Sequence, residues 1–177
     1  VRFVPVVRKT AGFRAVMTRL TGATPRTLDD LVDNQLFTVE GGATAAARLL
    51  DRGVTAIVAA SDLMALGAVR AVRSRGLRVP EDVSIVGHDD SPLVAFTDPP
   101  LTTIRQNVMA MAEAAVVALL DEIRGSDASR AEYVYTPELV VRGSTAASPV
   151  RVVRTPVTRP AAATSGQRRS PRAVRGR

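Results

Sequence analysis

Apolar and polar positions along the first 145 residues alternate between a helical rhythm and an extended one. Between Ala11 and Leu20, the residues Phe13, Val16, Met17 and Leu20 recur at the spacing of one helix face, and Gly22 follows as a stop. The stretch Ala43 to Arg52 is rich in alanine and ends on Leu49 and Leu50 just before Gly53, a residue suited to a left-handed helix cap. The apolar run Ala56 to Ala60 then predicts a buried strand. Ser61 and Asp62 supply caps for a helix from Leu63 to Arg75, where Leu66, Val69 and Val72 recur every three residues before Gly76 closes the segment. After a turn at Val79-Pro80, the run Val83 to Gly87 predicts a second buried strand. Further on, Val116, Leu119, Leu120 and Ile123 form one stripe of a helix from Val108 to Arg124.

A strand, a helix and a second strand joined by short connections make a βαβ unit, so the pattern predicts an α/β fold with a parallel sheet. Right-handed crossover is the default in such a sheet, and its ligands sit beyond the carboxyl ends of the strands. Those ends carry Ser61-Asp62 and His88-Asp89-Asp90. Their hydroxyl and carboxylate groups are acceptors suited to a polyhydroxylated ligand, a sugar above all. The same residue types cap helices and start turns, so both roles stay open here.

The chain's 177 residues suit one domain, and an apolar fraction of 46% with only 3% aromatics leaves its core to aliphatic side chains. The absence of cysteine excludes disulfides and thiolate metal sites, and the single histidine, His88, excludes a histidine cluster, so no metal or cofactor is expected. Neither a long apolar run nor a signal-like start is present, which points to a cytoplasmic chain without membrane insertion.

A net charge of +7 would suggest nucleic-acid binding, but it resides in the segment 149–177, which holds eight arginines and no acid. Residues 1–148 hold the remaining 16 basic and 17 acidic groups, a balance of −1. The segment 149–177 is expected to be a disordered Arg/Pro-rich tail. It would attract phosphates weakly through counterion release or serve as a solvated extension, and it lacks aromatics on which bases could stack. The near-neutral body predicts negligible specific DNA affinity for this chain.

No enzyme chemistry is expected either. Adjacent carboxylates at Asp89 and Asp90, read as an extended segment, point to opposite faces and cannot share acid–base work. No nucleophile elbow, phosphate-binding glycine loop or metal-ligand spacing occurs.

Five motifs in order then give the chain a kinship. The sequence runs through Asp62-Leu-Met-Ala-Leu-Gly67, Val79-Pro-Glu-Asp-Val-Ser84, Gly87-His-Asp-Asp90 and Pro99-Pro-Leu-Thr-Thr103, and closes on Pro137 to Thr145. It closely resembles the sensor domain of the LacI/GalR family of bacterial transcription regulators from about Lys9 to Thr145. Lys9-Thr-Ala-Gly12-Phe13 is similar to that family's Arg-x-x-Gly-Phe, and Phe37 to Gly42 to its Phe-Thr-x-x-x-Gly.

The resemblance implies a fold like that of periplasmic sugar-binding proteins, with two α/β subdomains and the effector in the cleft between them. The family's helix-turn-helix and most of the first subdomain would precede Val1, so the chain is expected to hold an incomplete effector domain. Helix 108–124 would pack on that first subdomain, leaving its apolar face stranded here. The resemblance also assigns roles. Asp89, Ser61 and Phe37 stand where effector contacts are expected, with Ser61 in place of the more usual Asn. Lys9 occupies the place of an effector-binding Arg, without the bidentate fork. Gln106 lies where the chain crosses between subdomains, as a ligand contact or a surface amide. Leu66, Phe96 and Thr97 fall on the family's two-fold interface, implying a homodimer, and core packing is the other reading of Leu66. The implied function is sugar sensing and dimerisation for a regulator whose DNA contact is made only through a helix-turn-helix not in this chain. A sugar-binding protein of a transport system, with the same fold, is the alternative.

Overall fold

The computed structural model describes residues 3–125 and 132–148, so the disorder expected of residues 149–177 concerns residues outside the description. The elements in order are α1 (Val4–Thr21), α2 (Pro25–Asp29), α3 (Val39–Asp51), β1 (Ala56–Val58), α4 (Asp62–Ser74), β2 (Ser84–Asp89), a 3-10 turn (Pro92–Phe96), β3 (Thr102–Arg105), α5 (Val108–Ile123) and β4 (Glu138–Val140). One sheet of order β1-β2-β3-β4 holds the strands. The first three run parallel and β4 pairs antiparallel with β3. The expected α/β fold and its βαβ unit are present, and all three parallel strands point their carboxyl ends at one edge.

Local chemistry sets the helix starts on that edge. The Thr38 hydroxyl accepts from the Gly41 amide at 3.0 Å to open α3, and the Ser61 hydroxyl accepts from the Met64 amide at 3.3 Å to open α4. Each satisfies an amide that the helix itself leaves unpaired. Helices α3 and α4 then cross at near-contact distance, because Gly42 lies against the Met64 backbone and Gly67 against the backbone of Val39 and Ala43. The pair is backed by small buried residues, Ala45, Ala46, Ala65 and Ala68, which is how a core with so few aromatics closes.

This helix pair covers one face of the sheet. Ile57, Ile85, Leu101, Val72 and Val94 are almost fully buried there. The closing segment is pinned into the sheet by buried Ser144, whose hydroxyl donates to the Ile85 carbonyl at 2.6 Å and accepts from the Thr102 amide at 2.8 Å.

One expectation changes. The run Ala56 to Ala60 is buried on one side only, since Ile57 is 7% exposed and its neighbour Val58 71%. Period-2 geometry sends Val58 to the sheet face that α3 and α4 do not cover. The α1 stripe is partly covered, with Phe13 and Met17 half-buried and Val16 and Leu20 exposed. No α1 residue is fully buried, and the helix packs against α2. As expected, α5 leaves its apolar stripe bare, with Val116, Leu119, Leu120 and Ile123 all exposed.

Candidate functional site

At the carboxyl edge, β1 leads to Ser61, β2 ends on Asp89, and β3 leads to Gln106. Two of the residues singled out from the sequence bond one another there, and a third reaches the same edge. The Gln106 side-chain amide donates to Asp89 Oδ1 at 3.0 Å, and the Lys9 ammonium, reaching across from α1, donates to the Ala60 carbonyl at 3.0 Å beside Ser61. Burial pushes the Lys9 ammonium below its ordinary pKa, and the Asp89 carboxylate pushes partly back. Lys9 and Asp89 therefore feel one another's charge across the edge. His88 Nδ1 lies 3.0 Å from Asp89 Oδ1. Among the described residues, every hydrogen bond to this carboxylate falls on Oδ1, and its side chain is 51% exposed. Oδ2 is left for an outside donor.

Ser61 is buried and acts as the α4 cap, the first of its two possible roles, although its hydroxyl proton is still free to donate. Phe37 is 44% exposed, one residue before the α3 cap. The close crossing at Gly42 and Met64 sets that helix start beside the start of α4.

Two carboxylates read from the sequence as possible ligand acceptors are spent internally. Asp62 is 3% exposed, with Oδ1 accepting from the Thr103 hydroxyl at 2.6 Å and Oδ2 from the Ser91 amide at 2.7 Å. A side chain at position 87 would collide with this carboxylate, so the glycine there is required by space. Asp90 accepts from Arg105 and from Arg142, each at 2.7 Å, and its side chain is 8% exposed. A buried charge is tolerable only with such partners.

The extended reading of Asp89-Asp90 is corrected as well. Asp89 has φ 112° and Asp90 φ 54°, both in the region where only glycine is at ease and aspartate is among the better tolerated alternatives. The conclusion drawn from it survives on other grounds. One carboxylate faces Gln106 and His88 and the other two arginines, so the two do not share a proton.

Burial pushes Asp90 up, but the hydrogen bonds and charges of Arg142 and Arg105 outweigh it and hold the carboxyl below its usual value of 3.8. Its contribution to stability is therefore complete above that value and is lost as pH falls through the lower, folded one. The melting midpoint of the native chain should drop more steeply between about pH 5 and pH 3 than that of Asp90→Asn, as followed by circular dichroism. Parallel acid limbs would contradict the assignment.

The residues assigned to an interface lie elsewhere, on the outer side of α4. Leu66 and Thr97 line a shallow groove of about 390 Å³ with Val69, Arg70, Arg73 and Pro99. Phe96 stands beside it, 86% exposed. Leu66 is half-buried, so it shares in both packing and surface. The hydropathy pattern missed Thr103, Arg105 and Arg142, because partners 41, 15 and 52 residues away leave no local trace.

Residues 8–145 match the family model described as a periplasmic binding protein-like domain. The chain is 57% identical over 149 residues to the HTH-type transcriptional regulator MalR of Streptomyces coelicolor, covering 84% of this chain and 43% of that protein. The transcriptional regulator CelR in its cellobiose complex is 37% identical with a TM-score of 0.71, covering 78% of this chain and 42% of that one. The lac repressor dimer bound to operator and the anti-inducer ONPF is 32% identical with a TM-score of 0.66, over 77% and 46% of the two chains. The chain thus spans less than half the length of each of these relatives.

Proposed function

Because this chain belongs to the periplasmic binding protein-like family, as part of the effector domain of LacI-type transcription regulators, we propose that its carboxyl edge senses a neutral sugar for such a regulator. The observation that carries the reading is the half-exposed Asp89 carboxylate. Its Oδ1 is held by Gln106 while its Oδ2 is unpartnered among the described residues, and the Lys9 cation and the Ser61 hydroxyl stand at the same edge. A carboxylate so presented accepts two sugar hydroxyls, the ammonium donates to a third oxygen, and the Phe37 ring covers an apolar sugar face. The solved complex of CelR with cellobiose supports a saccharide as the ligand class.

Sensing of this kind works by differential affinity: the sugar binds one closure state of the intact domain better and shifts its population. Contact with DNA belongs, in this reading, to a helix-turn-helix in the rest of the intact protein, and residues 1–148 carry a balance of −1. A transport-type binding protein would share the fold, but the relatives named above are regulators. The same kinship favours a cytoplasmic setting and a role other than catalysis. No described helix is long and apolar enough to cross a membrane.

Thermal melts against cellobiose, ribose, other neutral sugars and nucleosides test the proposal, since a ligand that binds only the native state raises the midpoint. A rise with one or more sugars is expected, and a midpoint that no sugar moves would count against the reading.

We also propose that the groove around Leu66, Phe96 and Thr97 meets its counterpart on a second copy, as supported by the exposed Phe96 and by the solved dimer of the lac repressor. Sedimentation should find a dimer, and Leu66→Arg should leave a folded monomer. A monomeric native chain, or a dimer indifferent to Leu66→Arg, would remove this interface.

A further inference from the structure

The Asp89-Asp90 turn occupies a conformation that side-chain-bearing residues rarely adopt, and it persists only if its surroundings hold it. Two straps do so, one on each of the residues that follow Asp89. In the first, Asp90 is gripped by Arg142 and Arg105, at 2.7 Å each. Arg142 is itself anchored twice more, through its guanidinium to the Leu101 carbonyl at 2.8 Å and its amide to the Thr102 hydroxyl at 2.9 Å, and the next residue is held by the Gly143 amide donating to the Pro100 carbonyl at 2.9 Å. Its side chain is only 17% exposed, so this is a built site rather than a surface ion pair. In the second, the buried Asp62 carboxylate holds the Ser91 amide at 2.7 Å and is fixed in turn by the Thr103 hydroxyl at 2.6 Å.

Both straps end on the two residues that directly follow Asp89, Asp90 and Ser91. We infer that Arg142, acting through Asp90, is a positioning residue for the ligand-facing Asp89 carboxylate, with Asp62 and Thr103 holding the same turn through the Ser91 amide. The functional part of this inference rests on the reading of Asp89 as a ligand contact. It extends the site to a residue 52 positions from the turn, on the segment that follows β4. A guanidinium suits the task because its planar fork binds the Asp90 carboxylate and the Leu101 carbonyl at once, which an ammonium cannot do with fixed geometry.

The test uses a reporter built into the chain. Lys9 is its only lysine, and its ammonium feels the Asp89 charge. Reductive methylation with 13C-formaldehyde gives one side-chain amine signal whose titration can be followed by NMR in the full chain. Asp89→Asn should lower the Lys9 pKa by removing a carboxylate. Arg142→Met should lower it too, by at least half as much, because the loosened turn carries Asp89 away from the edge.

The sign is diagnostic. Loss of the arginine's charge alone favours the protonated amine and raises the Lys9 pKa. An unchanged or raised pKa in folded Arg142→Met would overturn the inference. If that variant does not fold, Arg142→Lys, which keeps the charge without the fork, carries the same test with the same expected direction. Cellobiose titrated calorimetrically into the native chain separates the two ideas. Positioning stands if Arg142→Met lowers the Lys9 pKa even where no sugar heat is seen, and it falls if the pKa does not drop even where sugar binds.

Discussion

Gly67→Ala should unfold this chain or leave it without a cooperative melt. In a solvent-exposed helix the same change would stabilise by up to about 1 kcal/mol, because glycine is a poor helix former. Here the added methyl would sit inside the van der Waals radii of the Val39 carbonyl and only 2.6 Å from the Ala43 amide nitrogen. Both are backbone atoms of α3 and cannot turn aside as a side-chain end could. The helices would have to separate, which also opens the contact of Gly42 with the Met64 backbone and the alanine layer behind it. Overpacking of a well-filled core typically costs about 1–3 kcal/mol, and a backbone collision at a helix crossing belongs at or beyond the upper end. Chemical unfolding followed by circular dichroism checks it. A stability equal to or above that of the native chain would mean that α3 and α4 do not cross at Gly67.

Asp89→Ala is the second large effect, on binding rather than on folding. A hydrogen bond to a charged group contributes about 1.5–3 kcal/mol. A carboxylate that accepts two sugar hydroxyls therefore accounts for about 3–6 kcal/mol, which is a loss of roughly 100-fold to more than 10,000-fold in affinity. Any rise in melting midpoint that a sugar gives the native chain should vanish in the variant. The stability of the unliganded chain should change by about 1 kcal/mol or less, because the side chain is half-exposed and surface substitutions are mild. Some of that change comes from φ 112° at this position, which alanine tolerates less well than aspartate. Asp89→Asn, better suited to that backbone, should retain part of the binding. A sugar-induced rise that survives Asp89→Ala would place the ligand elsewhere.

The alternation of helical and extended rhythms was enough to place α3, β1, α4 and β2 within a few residues, and with them the edge where Ser61 and Asp89 lie. Signals such as the Ser61 cap and the apolar run before it are local, so they survive in the sequence. The strand β3 was missed because Thr102 and Thr103 are polar yet buried, their hydroxyls bonded to Thr145 and Asp62. Burial of that kind depends on partners some 40 residues away, which a hydropathy pattern cannot register. The turn at Asp89-Asp90 was misread for the same reason, since an aspartate pair in isolation gives no sign that two arginines and a distant carboxylate hold it in a left-handed shape. Gly67 reads locally as a weak point in a helix, and only the crossing with α3 explains it. The bare stripe of α5 was visible as an amphipathic pattern, but a pattern does not say what covers it.

The most direct test of a sugar site at the carboxyl edge is a map of amide shifts in a 1H–15N NMR titration of the full chain with cellobiose, or with whichever sugar raises the melting midpoint. The largest shifts are expected at Lys9, Phe37, residues 60–62, residues 88–91 and Gln106. Shifts centred on the groove around Leu66 and Pro99, or at the opposite strand ends near Thr55 and Ser84, would contradict it.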